Sequence, residues 1–292
     1  MRPETLPADL IAGFDVSEVR SVAGGSISEV FVGQTPRGRV FFKSRVDPPS
    51  DFYEREMVGL RALRATATVP VPEVLRHHRS GLALEWIEHE AESAPVPDDA
   101  GAEEFGRGLA GLHRHTGPHF GSIDDYPHGY LGSVRLDLSP QEQWSTAYVQ
   151  HRVHPLARQA VERGRVDPAA LSLVDRLIAR GPEVCGPAEQ PCLVHGDLWA
   201  GNRVVDAQAR HWIIDPSVHY GHREIDLALM RLFGGFAEAT FAAYQEVYPL
   251  ADGWQQRIAL HQLAPLLANT LMHGSVFGAS VMTHLRRSLQ VA

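Results

Sequence analysis

The chain has 292 residues, a formal net charge of −8 and 44% hydrophobic residues. The acidic balance argues against a nucleic-acid partner, which needs a basic surface. No apolar run approaches the roughly 20 residues that span a bilayer, and the amino terminus lacks a basic start followed by an apolar core. Two cysteines are too few for a disulfide framework. We therefore expect a cytoplasmic protein without membrane partners, and the length predicts roughly two domains.

The first part of the chain is predicted to form an antiparallel sheet. Short runs of β-branched and aromatic residues end at Val22, Val32 and Lys43, and the turn sequences G-G-S-I-S and T-P-R-G separate them. A helix is predicted after Asp51, which together with Glu54 resembles a capping box. Two further runs, V-P-V-P-E-V-L and L-A-L-E-W-I, are predicted to continue the sheet beyond this helix.

The second part is predicted to be mainly helical. Residues 88–99 are acidic, contain proline and lack a hydrophobic period, so we interpret them as a linker. Beyond them, Ser139-Pro140 and Asp167-Pro168 are predicted to begin helices, because each pair places a capping side chain before a proline. The stretch from Cys192 to Pro216 differs, since it combines two short apolar runs with a concentration of polar residues.

That polar stretch contains the strongest candidate for chemistry. The segment H-G-D-L-W-A-G-N carries Asp197 and Asn202, and a strand-like run that ends at Asp215 follows it. Two carboxylates and an amide at this spacing suit phosphoryl transfer: Asp197 would accept the proton of an attacking hydroxyl, while Asn202 and Asp215 would hold Mg²⁺ against nucleotide phosphates. The alternative is a polar hairpin in which these side chains satisfy turn backbone.

A second set of candidates lies upstream. Gly24, Gly25 and Ser26 join the first two strands and could lie close to phosphates, although a simple hairpin turn is an equally good interpretation. Lys43 is the only lysine among 27 basic residues, and Glu56 follows it in the predicted helix. Codon bias explains a rare lysine, but a strand lysine paired with a helix glutamate is also how protein kinases hold the phosphates of ATP.

The order of these segments resembles the aminoglycoside phosphotransferase-like branch of the protein kinase superfamily. Within that branch, H-G-D-L-W-A-G-N, D-P-S-V-H-Y-G-H-R-E-I-D-L-A and L-F-G-G-F are similar to the fructosamine kinase (ketosamine 3-kinase) family. The distinguishing features are Trp199 directly after H-G-D-L, the Y-G-H triplet that ends at His222, and the G-G-F triplet that ends at Phe236. The similarity extends from about Val19 to the last helix.

The resemblance implies an α+β fold with two lobes, as in protein kinases. The N-terminal lobe, residues 1–87, would contain a small antiparallel sheet and one helix, and the mainly helical C-terminal lobe, residues 88–292, would contain the catalytic loop. ATP and Mg²⁺ would bind between the lobes. Glu85, Trp86 and Ile87 would form the hinge that meets the adenine edge. His195 would brace the catalytic loop, and Asp226 would hold this loop in place. Alternatively, Asp226 is a carboxylate that stabilises the N-terminus of its own helix through the helix dipole.

The implied reaction transfers the γ-phosphoryl group of ATP to the C3 hydroxyl of a ketosamine, free or attached to a glycated protein. Such a phosphate promotes loss of the sugar, so the function would be deglycation. The resemblance directs attention to residues 120–148 for the substrate, and Asp124 and Asp125 would suit its amine or belong to a solvated loop. Four side chains are candidates to line the substrate pocket, although each is equally compatible with packing: Trp199, Tyr220, His222 and Trp254.

Two alternatives remain open. The first is a phosphotransferase for another small alcohol, such as an aminoglycoside or a choline-like compound. The second is a nucleotide-binding pseudokinase that acts as a scaffold. The 16 histidines do not show the spacing of a zinc site, and we expect them at scattered surface positions.

Overall fold

The computed structural model describes residues 6–22, 27–88 and 100–290. Its N-terminal part contains a five-stranded antiparallel sheet in the order β1-β2-β3-β5-β4. The elements are α1 (Ala8–Ile11), β1 (Glu18–Ser21), β2 (Glu29–Thr35), β3 (Gly38–Ser44), α2 (Phe52–Ala65), β4 (Val74–His78) and β5 (Gly81–Glu85). This arrangement confirms the predicted sheet with one long helix inserted after its third strand. The short helix α1 was not predicted.

The remainder is mainly helical. The α-helices are α3 (Ala102–Leu112), α4 (His154–Glu162), α5 (Ala169–Cys185), α6 (Glu224–Leu232), α7 (Glu238–Val247), α8 (Trp254–His261), α9 (Leu263–His273) and α10 (Gly278–Ser288), and a π-helix, Thr146–Val153, leads into α4. Three two-stranded ladders lie among them, formed by β6 (His128–Leu131) with β7 (Val134–Asp137), β8 (Cys192–Val194) with β11 (His219–Gly221), and β9 (Arg203–Val205) with β10 (His211–Ile213). Within the described residues, no helix is both long and apolar enough to cross a membrane.

The predicted helix starts are only partly correct. Asp167 does accept a hydrogen bond from the backbone N–H of Ala169 at 2.8 Å, as a capping residue should. Ser139 does not begin a helix, because helical residues start only at Trp144 and the Ser139 hydroxyl donates to Asp137 at 2.6 Å instead. The capping box at Asp51 is also wrong: this residue precedes α2 but makes no side-chain capping hydrogen bond.

One buried hydrophobic cluster crosses the predicted boundary between the two parts. It joins Leu60 of α2 and Leu82 of β5 to Leu109 of α3 and Leu227 of α6, all of which are fully buried. Burial of one leucine side chain contributes roughly 1.5–3 kcal/mol, so this shared core fixes α2 firmly against the helical part. The division into lobes at residues 87 and 88 stays a prediction, and residues 89–99 of the predicted linker lie outside the described residues.

Candidate active site

A buried ammonium joins the sheet to the polar stretch that follows β8. Lys43 lies on β3 and is only 5% exposed. Its Nζ donates to Glu56 Oε1 of α2 at 2.9 Å and to Asp215 Oδ1 at 2.8 Å. These contacts bring together residues 13 and 172 positions apart in the sequence.

The charges around Lys43 keep it protonated. Burial alone would lower the pKa of the Lys43 ammonium, but attraction to Asp215 and Glu56 outweighs burial, and the pKa lies above its usual range. Burial also raises the pKa of Glu56, and the neighbouring charge of Asp215 acts in the same direction against the stabilising effect of Lys43. One ammonium therefore serves two carboxylates.

The segment predicted to form the catalytic loop lines the same cavity as Lys43, Glu56 and Asp215. Asn202 ends a single 3₁₀ turn, and its Nδ2 donates to Asp197 Oδ2 at 3.0 Å and to the Asp197 carbonyl at 2.8 Å. Burial raises the pKa of Asp197 well above its usual range, and repulsion from Asp215 and Asp226 adds to this effect against the hydrogen bond from Asn202. Asp197 is thus oriented by an amide and has an increased proton affinity, as a general base requires.

A buried aspartate holds the start of this loop. Asp226, in the first turn of α6, accepts the backbone N–H groups of His195 at 2.7 Å and Gly196 at 2.8 Å. Its Oδ2 also lies 3.1 Å from His113 Nε2. Burial raises the pKa of Asp226, but the hydrogen bond and charge of His113 outweigh burial, so the pKa is lowered overall. This is the geometry expected of a residue that ties down the loop.

His195 holds the loop through both of its ring nitrogens: its Nδ1 accepts the backbone N–H of Asp197 at 3.3 Å. Its Nε2 lies 2.9 Å from the carbonyl oxygen of Ile214, the residue before Asp215. Burial lowers the pKa of His195, so the ring is neutral and Nε2 is the donor. The ring consequently connects the catalytic loop to the segment that carries Asp215.

Two backbone positions at the site need left-handed conformations. Gly196 has φ of 80°, and a Cβ there would lie 2.1 Å from the Ser217 carbonyl oxygen. Asp215 has φ of 54°, which is uncommon for a residue with a side chain. Strain of this kind is typical of functional sites, where the surrounding structure holds it in place.

The site contains a cavity of about 440 Å³. Lys43, Glu56, Asp197, Asn202 and Asp215 all contribute to its lining. The lining also includes residues 122, 123, 128–132 and 138, and residues of α6, α9 and the turn before α10. The structure therefore brings the predicted lysine, glutamate, base and metal-ligand candidates into one cleft.

Only one of the four predicted substrate residues belongs to the described lining of the cavity. Trp199 lines the cavity and is 38% exposed. Tyr220, His222 and Trp254 are not part of the described cavity lining. Tyr220 lies on β11, which pairs with β8. His222 follows this strand, is 2% exposed and contacts the rings of Trp144 and His261. Trp254 begins α8 and packs against the core cluster shared by the two parts of the chain.

The predicted nucleotide-binding elements are only partly visible. Gly24, Gly25 and Ser26 lie outside the described residues. Glu85 ends β5, and its Oε2 accepts the backbone N–H of Glu73 at 3.0 Å. Neither Glu85 nor Trp86 nor Ile87 belongs to the described lining of the cavity. Their role as a hinge stays a prediction.

Several lining residues were not predicted individually. Ser122, His128 and Tyr130 come from the segment that the sequence indicated for the substrate, whereas Asn269 and His273 come from α9. The helical pattern of α9 carries no signal that distinguishes its cavity-facing positions. Asp124 also differs from expectation, because it pairs with Arg55 at 2.6 Å and does not lie in a freely solvated loop.

The histidines are not confined to the surface. His222 and His261 are buried and, with Glu224, bring three ligand-type atoms within 4.8 Å of one another. However, the Trp144 Nε1–H donates to His261 Nε2 at 3.1 Å, so the proton of the neutral ring sits on Nδ1 and blocks it as a ligand. Arg257 also donates twice to the Glu224 carboxylate. This cluster is poorly suited to a cation.

The donor set in the cleft does suit Mg²⁺. The amide nitrogen of Asn202 points to Asp197, which directs the amide oxygen elsewhere, and the Asp215 side chain is 41% exposed. Carboxylate and amide oxygens are the hard ligands that Mg²⁺ prefers, and Lys43 occupies only Oδ1 of Asp215.

Comparison with known proteins agrees with this geometry. The sequence pattern of the fructosamine kinase family matches residues 4–291. A probable ketoamine kinase of Enterococcus faecium is 33% identical over 267 residues, which cover 90% of this chain and 92% of the relative. A crystal structure assigned to a fructosamine-3-kinase from Thermobifida fusca superimposes with a TM-score of 0.88 at 31% identity and covers 97% of this chain and 98% of that chain. The aminoglycoside phosphotransferase APH(4)-Ia shares the fold, with a TM-score of 0.64, 17% identity and coverage of 97% of each chain.

Proposed function

The chain belongs to the fructosamine kinase family and is an ATP-dependent phosphotransferase, and we propose that it phosphorylates the C3 hydroxyl of ketosamines. Free ketosamines and glycated proteins are the proposed substrates, and deglycation is the proposed role. The observation that carries the proposal is the convergence of Lys43, Asp197, Asn202 and Asp215 in one cavity.

In the proposed reaction, Asp197 receives the proton of the attacking hydroxyl. The hydroxyl oxygen forms a bond to the γ-phosphorus of ATP, the bond to the β-phosphate oxygen breaks, and ADP leaves with that electron pair. The hydrogen bond from Asn202 Nδ2 orients the Asp197 carboxylate for this step.

The nucleotide would be held from both sides of the cavity. Lys43 would contact the α- and β-phosphates, with Glu56 to aim its ammonium. Asn202 and Asp215 would ligate Mg²⁺, which neutralises phosphate charge as the bond to ADP breaks. His195 and Asp226 would keep the loop in place, and neither would exchange protons with the substrate.

The acceptor would lie between Trp199 and the wall formed by residues 122–138. A sugar presents an apolar face that can stack on an indole ring, and its hydroxyls need polar partners such as those of Ser122 and Tyr130. Asp124 is an unsuitable partner for the substrate amine, because its carboxylate is already neutralised by Arg55.

The test is ADP release in the presence of Mg²⁺ and ATP with a panel of acceptors. The panel contains ribulosamine, erythrulosamine and fructosamine derivatives, an aminoglycoside and choline. We expect acceptor-dependent ADP release with at least one ketosamine. Release with the aminoglycoside or choline alone would reassign the substrate class, and failure to release ADP with any acceptor would favour a nucleotide-binding scaffold.

A further inference from the structure

Helix α2, which carries Glu56, is fastened to the cavity wall by an ion pair. The Arg55 side chain is only 9% exposed, and its Nη1 donates to Asp124 Oδ2 at 2.6 Å. The same guanidinium lies over the ring of Tyr126, 4.3 Å from its centroid. On the other side, Asp124 Oδ1 accepts from the Ser122 hydroxyl at 3.0 Å and from the backbone N–H of Tyr126 at 3.1 Å. The carboxylate is therefore fixed within its own loop before it meets the helix.

A second contact lies one helical turn earlier. Asp51 accepts hydrogen bonds from Tyr130 OH at 2.8 Å and from His128 Nε2, both on β6. Asp51 and Arg55 are four residues apart, so they lie on the same side of the chain as it enters α2. Both are charged, and both meet partners from the same segment.

A third contact extends this side of the helix. A Cβ at Gly59, four residues after Arg55, would lie 2.9 Å from Val218 Cγ2. Val218 is three residues beyond Asp215, so the helix backbone approaches the segment that carries the metal-ligand candidate. Residues 51, 55 and 59 thus form one continuous face through which α2 meets the C-terminal part.

Glu56 is the immediate neighbour of Arg55, and its carboxylate reaches Lys43 at 2.9 Å. A small rotation or shift of α2 would move this carboxylate relative to β3, where Lys43 is held by pairing on both sides. In kinase folds the position of the corresponding helix decides whether the lysine is aimed at the phosphates. Arg55, Ser122, His128 and Tyr130 also line the cavity to which Lys43 and Glu56 contribute.

We infer that Arg55 and Asp124 are positioning residues whose ion pair fixes α2 and thereby aims Lys43, through Glu56, at the phosphates of the nucleotide. The inference rests on the proposed nucleotide site, but it concerns residues other than those proposed above to hold the phosphates. A partly buried ion pair suits this task, because removal of either partner leaves the other charge uncompensated and releases the helix.

The test is a double-mutant cycle read by the affinity for Mg·ADP, which requires no acceptor. The variants are Arg55→Ala, Asp124→Ala and the combination, and the matched control is Arg61→Ala, an exposed arginine on the same helix. Each single variant should bind Mg·ADP about tenfold more weakly, and the combination should be no weaker than either single variant, because both remove the same contact. Steady-state kinetics should show a raised KM for ATP with a nearly unchanged KM for the acceptor.

Three binding or kinetic results would overturn the inference: Mg·ADP affinities within twofold of the Arg61→Ala control, fully additive losses in the combination, or a rise confined to the acceptor KM, which would make Arg55 a substrate contact. Loss of affinity that only follows a loss of folded protein, measured by thermal unfolding, would also overturn it. Failure of the ketosamine proposal is distinguishable, since it would appear as a wild type that binds Mg·ADP but phosphorylates no ketosamine.

Discussion

Lys43 is the only lysine of the chain, and its surroundings explain why arginine is absent from that position. Its Nζ has carboxylate oxygens at 2.9 and 2.8 Å from two different elements. An ammonium is a compact charge that can bond in several directions, whereas a guanidinium is a planar fork that needs more space. These contacts therefore offer a chemical reason for the single lysine, which codon bias alone could also explain.

Lys43→Arg should not support the use of ATP, although it retains the positive charge. We expect kcat/KM for ATP to fall about 100-fold, close to the value for Lys43→Met, because the fork cannot take the place of the ammonium between Glu56 and Asp215. Steady-state kinetics measure this, with the opposite exchange at exposed Arg37 as a control. Near-wild-type activity of Lys43→Arg would show that charge alone is sufficient.

Asp197→Asn should remove the proposed base with little change in shape. We expect kcat to fall about 100-fold or more, on the order expected for loss of a positioned base, and Mg·ADP affinity to stay within a few-fold of the wild type. Asp175→Asn, at an exposed position of α5, is the matched control. Turnover of Asp197→Asn at the wild-type rate would refute the assignment.

At the scale of elements, the proposed catalytic loop depends on a close approach between two backbone segments. Asp226 accepts hydrogen bonds from two consecutive backbone N–H groups of this loop. Gly196 allows the loop to pass close to the backbone of Ser217. The loop is thus held from α6 on one side and from the segment after Asp215 on the other. Its shape is a property of the packing of these elements.

Gly196→Ala should be more disruptive than the same substitution at Gly164. Both glycines have positive φ, 80° and 64°, but an added Cβ would lie 2.1 Å from a carbonyl oxygen at Gly196 and would have nothing within 4 Å at Gly164. We expect Gly164→Ala to cost about 1 kcal/mol from backbone strain alone. Gly196→Ala should cost at least ~2 kcal/mol and reduce kcat. Urea unfolding of the two variants measures the difference, and equal costs would contradict the role assigned to the contact.

The sequence predicted the elements better than their side-chain partners. The first three strands, β5 and α2 were correctly predicted because alternation and helical spacing are local patterns, whereas the run V-P-V-P-E-V-L overlaps β4 only at Val74 and Leu75. The order of Lys43, Glu56 and Asp215 indicated one site. Asp51 was assigned to a local cap, but its partners are His128 and Tyr130, 77 and 79 residues away. Likewise, His222 contacts the rings of Trp144 and His261, which lie 78 residues before it and 39 residues after it. Long-range contacts of this kind leave no periodic signal in a single sequence.

At the scale of the whole molecule, buried histidines make stability depend on pH. Burial lowers the pKa of His222 to about 4, and burial also lowers the pKa of His219 and His261 well below the usual value. The unfolded chain binds these protons near pH 6.5, whereas the folded chain does not. The folded state is therefore at a disadvantage that grows as the pH falls below about 6.5.

We expect the free energy of unfolding to decrease from pH 7 toward pH 5. His222→Leu should make the profile shallower by up to one proton, or ~1.4 kcal/mol per pH unit, between about pH 6 and 4.5. Above pH 7 the two profiles should be parallel, because the imidazole is neutral in both states. Denaturant unfolding at a series of pH values measures this, and an unchanged slope in the variant would show that His222 gains its proton in the folded state.

Two parts of the chain share one hydrophobic core, and the residues proposed for phosphoryl transfer come from both of them. The sheet supplies Lys43, α2 supplies Glu56, and the polar stretch after β8 supplies Asp197, Asn202 and Asp215. Fixing these elements against one another makes the arrangement suitable for positioning two substrates. The central claim is that this arrangement transfers a phosphoryl group to the C3 oxygen of a ketosamine.

The most direct test is to identify the product. The wild-type protein is incubated with Mg²⁺, ATP and a ketosamine, and phosphorus–proton correlation NMR locates the new phosphate ester. We expect one product, in which phosphorus is coupled to the proton at C3, and we expect it in an amount equal to that of ADP. A phosphate on another oxygen, or ADP formed without any phosphorylated ketosamine, would contradict it.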